Sequence, residues 1–173
     1  MAQLPSVSKE DVASHLRMAV DQLKITVDAM QETDGDIPSL LGAVRYRLTR
    51  RLNVAGIDLQ WDVQHLPKME GWGVRQSYEL QMILFEVFTN MMVHSGANQA
   101  ALSARQTQSA NETAIEILIF ENGKGFNPEG SEGGGGRGMA NMKMRAAILG
   151  AKLFVDSRPG KTLVKILLTR VSE

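Results

Sequence analysis

The 173-residue chain has no cysteine. That absence excludes a disulfide framework, a thiolate metal site and a cysteine nucleophile. Its three histidines, His15, His65 and His94, are scattered and make no ligand cluster. A bound metal ion would therefore need oxygen ligands. Neither charge sign is in excess, with 19 Lys+Arg against 19 Asp+Glu. The long-range attraction behind most nucleic-acid and anionic-membrane binding is thus missing. No apolar run approaches the roughly 18 residues read as a membrane span. The start, Met-Ala-Gln-Leu-Pro-Ser, lacks the basic and apolar regions of a signal peptide. These absences lead to the expectation of a cytoplasmic domain that touches neither nucleic acid nor membrane. With 43% apolar and 22% charged residues, the composition is that of one soluble globular domain. At this length folding buries roughly 70% of the extended chain's surface, enough for a substantial core.

Ser8-Lys-Glu-Asp11 has the form of a capping box, and Val12, Leu16, Val20, Leu23, Val27 and Met30 follow at spacings of four and three. The seam suits a helix packed in a bundle or a dimer stalk, or one amphipathic helix lying on its own domain; it is too short for an autonomous coiled coil. After the polar break at residues 31–36, Pro38 can open a second helix with Leu41, Val44, Leu48 and Leu52 on one face. Arg45, Arg47, Arg50 and Arg51 share that helix, as a solvated face or as phosphate contacts. Ile57, Leu59, Trp61 and Val63 alternate with polar residues and predict a strand. A long helix is expected from about Ser77 to His94, burying Leu80, Leu84, Val87 and Met91. Strands at 100–104 and 114–120 follow, then a Gly-rich acidic loop over 121–136. A last helix near 139–149 ends at Gly150, and strands at 152–156 and 163–171 complete the chain. The order predicts an α+β fold, a mixed sheet covered by helices on one face.

Three glycine-containing stretches qualify as phosphate loops by composition. Gly160-Lys161-Thr162 fails as a P-loop, because the position six residues before the Lys is Val155. Gly133, Gly135 and Gly138 match a dinucleotide fingerprint in spacing, but no strand leads into them. The third, Glu121-Asn-Gly-Lys-Gly-Phe126, directly follows a predicted strand. On the long helix, Glu86, Asn90 and His94 recur at intervals of four, away from the apolar seam. Such a stripe could hold Mg²⁺ through the amide oxygen, orient a reacting group through the carboxylate and face a nucleotide with the imidazole, or it is a half-exposed helix face.

Taken jointly, these motifs resemble those of the GHKL ATPases. Glu86-Val-Phe-Thr-Asn90-Met-Met-Val-His94-Ser-Gly-Ala97 is similar to the N box, Glu121-Asn-Gly-Lys-Gly-Phe126 to the G1 box, and Gly136-Arg-Gly-Met-Ala-Asn-Met-Lys-Met-Arg145-Ala146 to the G2 box with its lid. In order and spacing they resemble those of nitrate-sensor-type bacterial histidine kinases, over about residues 57–171. The resemblance implies a two-layer α/β sandwich of the Bergerat type at 36–173. Residues 1–35 are then a remnant of the dimerisation and phosphotransfer stalk. It also implies ATP and Mg²⁺ as cofactors, with Asn90 as metal ligand and Glu86 polarising the attacking group. His94, Glu121, Gly123, Gly125, Gly136, Arg137, Gly138, Met139 and Thr162 would contact the nucleotide, with Glu121 and Thr162 at adenine and Gly136 to Gly138 as the hinge of a phosphate-cradling lid. The partners implied are a phosphoacceptor histidine domain of the same kinase, a response regulator, and a second subunit in a homodimer. His15 is followed by Leu16 rather than an acidic residue, so the acceptor histidine is expected elsewhere.

Three positions depart from the family pattern. Glu121 replaces the usual Asp, apolar Val93 stands where a Lys or Arg precedes the His, and Lys161-Thr162 takes the place of Gly-Thr. Two further readings stay open at this level. One is a nucleotide-holding interaction module without kinase activity; the other is a serine kinase of the anti-sigma-factor type.

Overall fold

A computed structural model describes residues 35–109, 112–127 and 135–169, together with Val20. The amphipathic pattern at 8–32 and the expected stalk remnant otherwise lie outside the described residues. The first helix, α1 (Ile37–Val54), is capped by Asp36, whose carboxylate accepts from the Ser39 backbone N–H at 3.1 Å and the Ser39 hydroxyl at 2.6 Å. Pro38 sits in its first turn, where no backbone donor is needed. The predicted seam, Leu41, Val44, Leu48 and Leu52, is fully buried together with Leu40. Strand β1 (Asp58–Val63) keeps the predicted alternation, with Leu59, Trp61 and Val63 half-buried.

Helix α2 (Val74–Asn90) begins three residues earlier than predicted, because Gln76 reaches back to accept the Gly73 N–H at 3.1 Å. It does not run on regularly to His94. At Met91–Ser95 the backbone widens into a π-helical turn, closed by the Ser95 hydroxyl donating to the Met91 carbonyl at 2.8 Å. Strands β2 (Gln99–Ser109) and β3 (Glu112–Glu121) are both longer than the sequence pattern indicates. Their antiparallel ladder continues past the apolar stretch through polar positions such as Arg105 and Glu116, which pair at 2.7 Å. Helix α3 (Gly135–Leu149) starts four residues before the predicted point. Gly136 and Gly138 therefore lie in its first turns, not in a preceding hinge loop. Strands β4 (Lys152–Arg158) and β5 (Lys161–Thr169) form the last hairpin.

The sheet order is β1-β2-β3-β5-β4, parallel at β1/β2 and antiparallel elsewhere. This is the α+β arrangement expected. The cross-strand register builds rows of inward side chains: Leu102, Ile119 and Val164 in one, Ala104, Ile117 and Ile166 in the next, all at 5% exposure or less. Those rows pack on the buried faces of the three helices, which form the second layer. Burial of this contiguous apolar area, at about 25 cal/mol per Å², is the main stabilising term. Among the described residues, no helix is long and apolar enough to cross a membrane.

Candidate functional site

The next inward row along the sheet breaks the apolar pattern. Ala100 pairs with Glu121, Glu121 with Thr162, and Thr162 with Ser157, so three polar side chains occupy positions in phase with the core. Glu121 and Thr162 are each only 5% exposed. The Thr162 and Ser157 hydroxyls lie 2.9 Å apart, and Ser157 Oγ accepts the Phe126 N–H at 2.9 Å. One Glu121 carboxylate oxygen, Oε2, accepts the Gly123 N–H. Its other oxygen makes no hydrogen bond among the described residues. Burying a carboxylate is unfavourable unless its oxygens find donors. The row thus supplies hydrogen-bonding capacity that the core does not require.

Glu121 and Thr162 of this row line a cavity of about 200 Å³. Val87, Asn90, Met91, His94 and Ser95 line it from α2 and the π turn, Met139 and Met142 from α3, and Ile119 and Val164 from the sheet floor. Lys124, Gly125, Phe126 and Asn127 close the side given by the loop after β3. An apolar slot ending in a buried carboxylate and hydroxyl has the layout of a small-ligand pocket, flat contact from the methionines and orientation from a few polar groups.

The loop is pinned on three sides. Asn122 Oδ1 accepts the Asn98 and Gln99 N–H groups, each at 3.1 Å, and Asn122 Nδ2 donates to Asn98 Oδ1 at 2.7 Å. Lys124 N–H donates to the Ser95 carbonyl at 2.9 Å, and Gly160 N–H to the Gly123 carbonyl at 2.8 Å. A Cβ on Gly123 would stand 2.5 Å from the Ser95 carbonyl oxygen, and one on Gly125, at φ +72°, would stand 2.5 Å from the Arg158 carbonyl. Both glycines are required by the protein's own backbone packing. Gly123 is buried under the π turn and does not line the cavity, whereas Gly125 does.

Glu86 and Asn90 keep their helical spacing, with Asn90 Nδ2 donating to Glu86 Oε1 at 3.3 Å. The Asn90 amide oxygen is left for another partner. The π turn interrupts the stripe beyond them, because four residues no longer close one turn. His94 consequently sits exposed at the cavity mouth. Gly138, on α3, packs against the Glu86 carboxylate and lies so near that a Cβ there would fall on Oε1. The N-terminus of α3, whose first N–H groups have no partner within the helix, is thereby presented beside Glu86 and Asn90, a position to which helix N-termini draw anions. For Gly136 and Arg137 the structure gives backbone helix only. Val93 is 65% exposed and points away from the core.

Among the described residues, no group of three or more His, Asp or Glu side chains could hold a metal ion. A cation here would be held by Asn90 and by oxygens of the ligand itself. Met142, Lys124 and Asn127 line the cavity but were missed from sequence, as was Ser157, which stands behind the lining and reaches it through Thr162 and Phe126. Ser157 alone had a legible signal, its alternation with Leu153 and Val155.

No protein-family model matches the chain, and no curated protein matches it. Solved structures do. The histidine kinase domain of the Erythrobacter litoralis blue-light activated histidine kinase is 16% identical, with 92% of this chain and 82% of that chain covered at a TM-score of 0.60. The Acinetobacter baumannii histidine kinase AdeS is 14% identical, covering 97% of this chain and 88% of that one at 0.66. Full-length ShkA, solved in complex with AMPPNP, is 17% identical over 97% of this chain and 41% of that one at 0.65. The fold is that of histidine kinase catalytic domains.

Proposed function

We propose that this chain is the ATP-binding catalytic domain of a sensor histidine kinase, with ATP and Mg²⁺ as cofactors. One observation carries the proposal: the polar row Glu121, Thr162 and Ser157 interrupts the apolar sheet face where the slot meets Asn90 and the α3 N-terminus. A purine fits such a slot, between Met91, Ile119, Met139 and Met142, with its exocyclic amine toward Glu121. The AMPPNP complex of ShkA supports the same reading.

ATP supplies the transferable γ-phosphoryl group. Glu121 and Thr162 orient the base, and their burial makes a mismatched hydrogen-bonding edge unfavourable. The Asn90 amide oxygen serves the cation that neutralises phosphate charge. Backbone N–H groups of the α3 N-terminus, with Gly136, Arg137 and Gly138 in that turn, receive phosphate oxygens. Glu86 holds the N–H of an acceptor imidazole, aligning its other nitrogen for attack; the rest of catalysis is positioning and charge stabilisation. The acceptor histidine belongs to another segment of the kinase, and a response regulator takes the phosphoryl group onward. Residues 1–35 serve as stalk, and the working unit is a homodimer in the cytoplasm.

The test is a thermal melt with and without Mg²⁺-ATP. At about 100 times the dissociation constant, native-state binding adds about 2.7 kcal/mol. For a domain of this size that raises Tm by roughly 5 to 10 °C. Absence of any shift at millimolar Mg²⁺-ATP, with calorimetry also silent, overturns the proposal. Binding without transfer to an added phosphoacceptor domain would leave the interaction-module reading in its place.

A further inference from the structure

Two contacts between α2 and α3 share one spacing. Gly138 packs on Glu86, and seven residues further along α3 the Arg145 guanidinium meets Glu79, seven residues back along α2. The helices are therefore antiparallel and in register at two points, about 10.5 Å apart on each. The second contact is an ion pair of 2.6 Å, Arg145 Nη1 to Glu79 Oε2, between side chains only 25% and 10% exposed. The same guanidinium lies 5.6 Å from the Tyr78 ring centroid. Burial and the aromatic face leave it few alternative positions.

We infer that Arg145 is a positioning residue, which with Glu79 and Tyr78 sets the register of α3 on α2 and so places the α3 N-terminus for the phosphates of the nucleotide. The inference rests on the nucleotide-binding reading above. Arg145 does not line the cavity; Met139 and Met142, between the two contacts, do. Apolar helix packing tolerates small slides, whereas an ion pair fixes one pairing. A slip of one turn, about 5.4 Å, would carry Gly138 off Glu86. In one direction it would bring Asn141 or Met142 toward the carboxylate, neither of which offers the glycine's missing Cβ; in the other it would carry the helix N-terminus past Glu86 and Asn90.

The test compares the full chain with Arg145→Met and with Glu79→Leu/Arg145→Met, an apolar pair that keeps the helices packed without leaving a lone buried charge. Calorimetry measures adenosine and Mg²⁺-ATP separately, and hydrogen exchange follows the α3 amides without nucleotide. The expected result is an affinity for Mg²⁺-ATP about ten-fold lower or more in both variants, an adenosine affinity within about three-fold, and faster exchange over residues 138–145. A double variant that regains the starting Tm but not the ATP affinity separates register from bulk stability. Affinities that fall together, or that do not fall, overturn the inference. Should the starting protein bind neither ligand, the nucleotide reading fails by itself and exchange alone decides: acceleration at 138–145 in a folded Arg145→Met upholds the register role, and unchanged exchange removes it.

Discussion

Gly138→Ala and Gly125→Ala make the same chemical change and should have opposite consequences. At residue 138 the added methyl falls on Glu86 Oε1 and stands 3.4 Å from Asn90 Nδ2. The obstacle is the end of a flexible side chain, so the carboxylate swings aside at about 0.5 to 1.5 kcal/mol. Helical propensity recovers up to about 1 kcal/mol, because alanine replaces glycine within α3. The two terms nearly cancel, and Tm should stay within about 3 °C of the starting protein. Glu86 is nevertheless displaced and loses its 3.3 Å contact with Asn90. A shift of about 1 Å in a positioned group can cost on the order of 100-fold in rate, so phosphoryl transfer should collapse in a stable protein. At residue 125 the methyl meets the Arg158 carbonyl carbon and oxygen at 2.5 Å, and φ is +72°. That backbone cannot swing away, because the loop is pinned to the hairpin by Gly160 N–H to Gly123 O. The left-handed conformation costs about 1 to 2 kcal/mol and the overlap about 1 to 3 more. Tm should drop by roughly 5 to 15 °C. Melts followed by circular dichroism, paired with transfer to an added phosphoacceptor domain, measure both quantities. If Gly138→Ala melts as low as Gly125→Ala, or transfers phosphate at the starting rate, the assignment of Glu86 and its contact with α3 is refuted.

Removing the Glu121 carboxylate by Glu121→Ala should weaken ATP binding about ten-fold or more by calorimetry and shrink the preference over GTP, since a buried partner is worth about 1 to 3 kcal/mol; indifference to this change would mean that residue 121 does not face the base. Asn90→Ala should abolish the Mg²⁺ dependence of nucleotide binding, whereas Glu86→Gln should leave binding intact and depress transfer, as titrations with and without EDTA and single-turnover kinetics would show. The Ser39 hydroxyl and then the Ser39 backbone N–H hold the Asp36 carboxyl below its ordinary pKa. Its stabilising effect is therefore complete above the unfolded value, about pH 4, and is lost as pH falls through the lower folded value. Asp36→Ala should cost about 1 kcal/mol at pH 7, and the gap between the two urea midpoints should close at acid pH.

Periodicity carried much of the fold. The alternation in β1 and the apolar seams of α1 and α2 were legible because burial on one face dictates residue type at a fixed repeat. Glu121 and Thr162 were singled out through the resemblance of their motifs rather than through periodicity; the structure sets both in phase with Ile117, Ile119, Val164 and Ile166, with one Glu121 oxygen holding the Gly123 N–H. Length was less legible at the ends of β2, β3 and α3, where pairing continues through residues that no buried face constrains.

By itself the sequence determined the order of elements, the inward face of each, and the local glycine and polar motifs, all of which follow from interactions between residues close in the chain. Tertiary structure alone decided which of those motifs meet. The π turn at Met91–Ser95 brings the Ser95 carbonyl to Lys124 and moves His94 out of the Glu86 and Asn90 line. The β3–β5–β4 register sets Glu121, Thr162 and Ser157 side by side. Antiparallel packing of α3 on α2 joins Gly138 to Glu86 and Arg145 to Glu79 across 66 positions of sequence for the ion pair. Such distances are set by how two surfaces interlock, and a linear pattern of residue types does not encode that register.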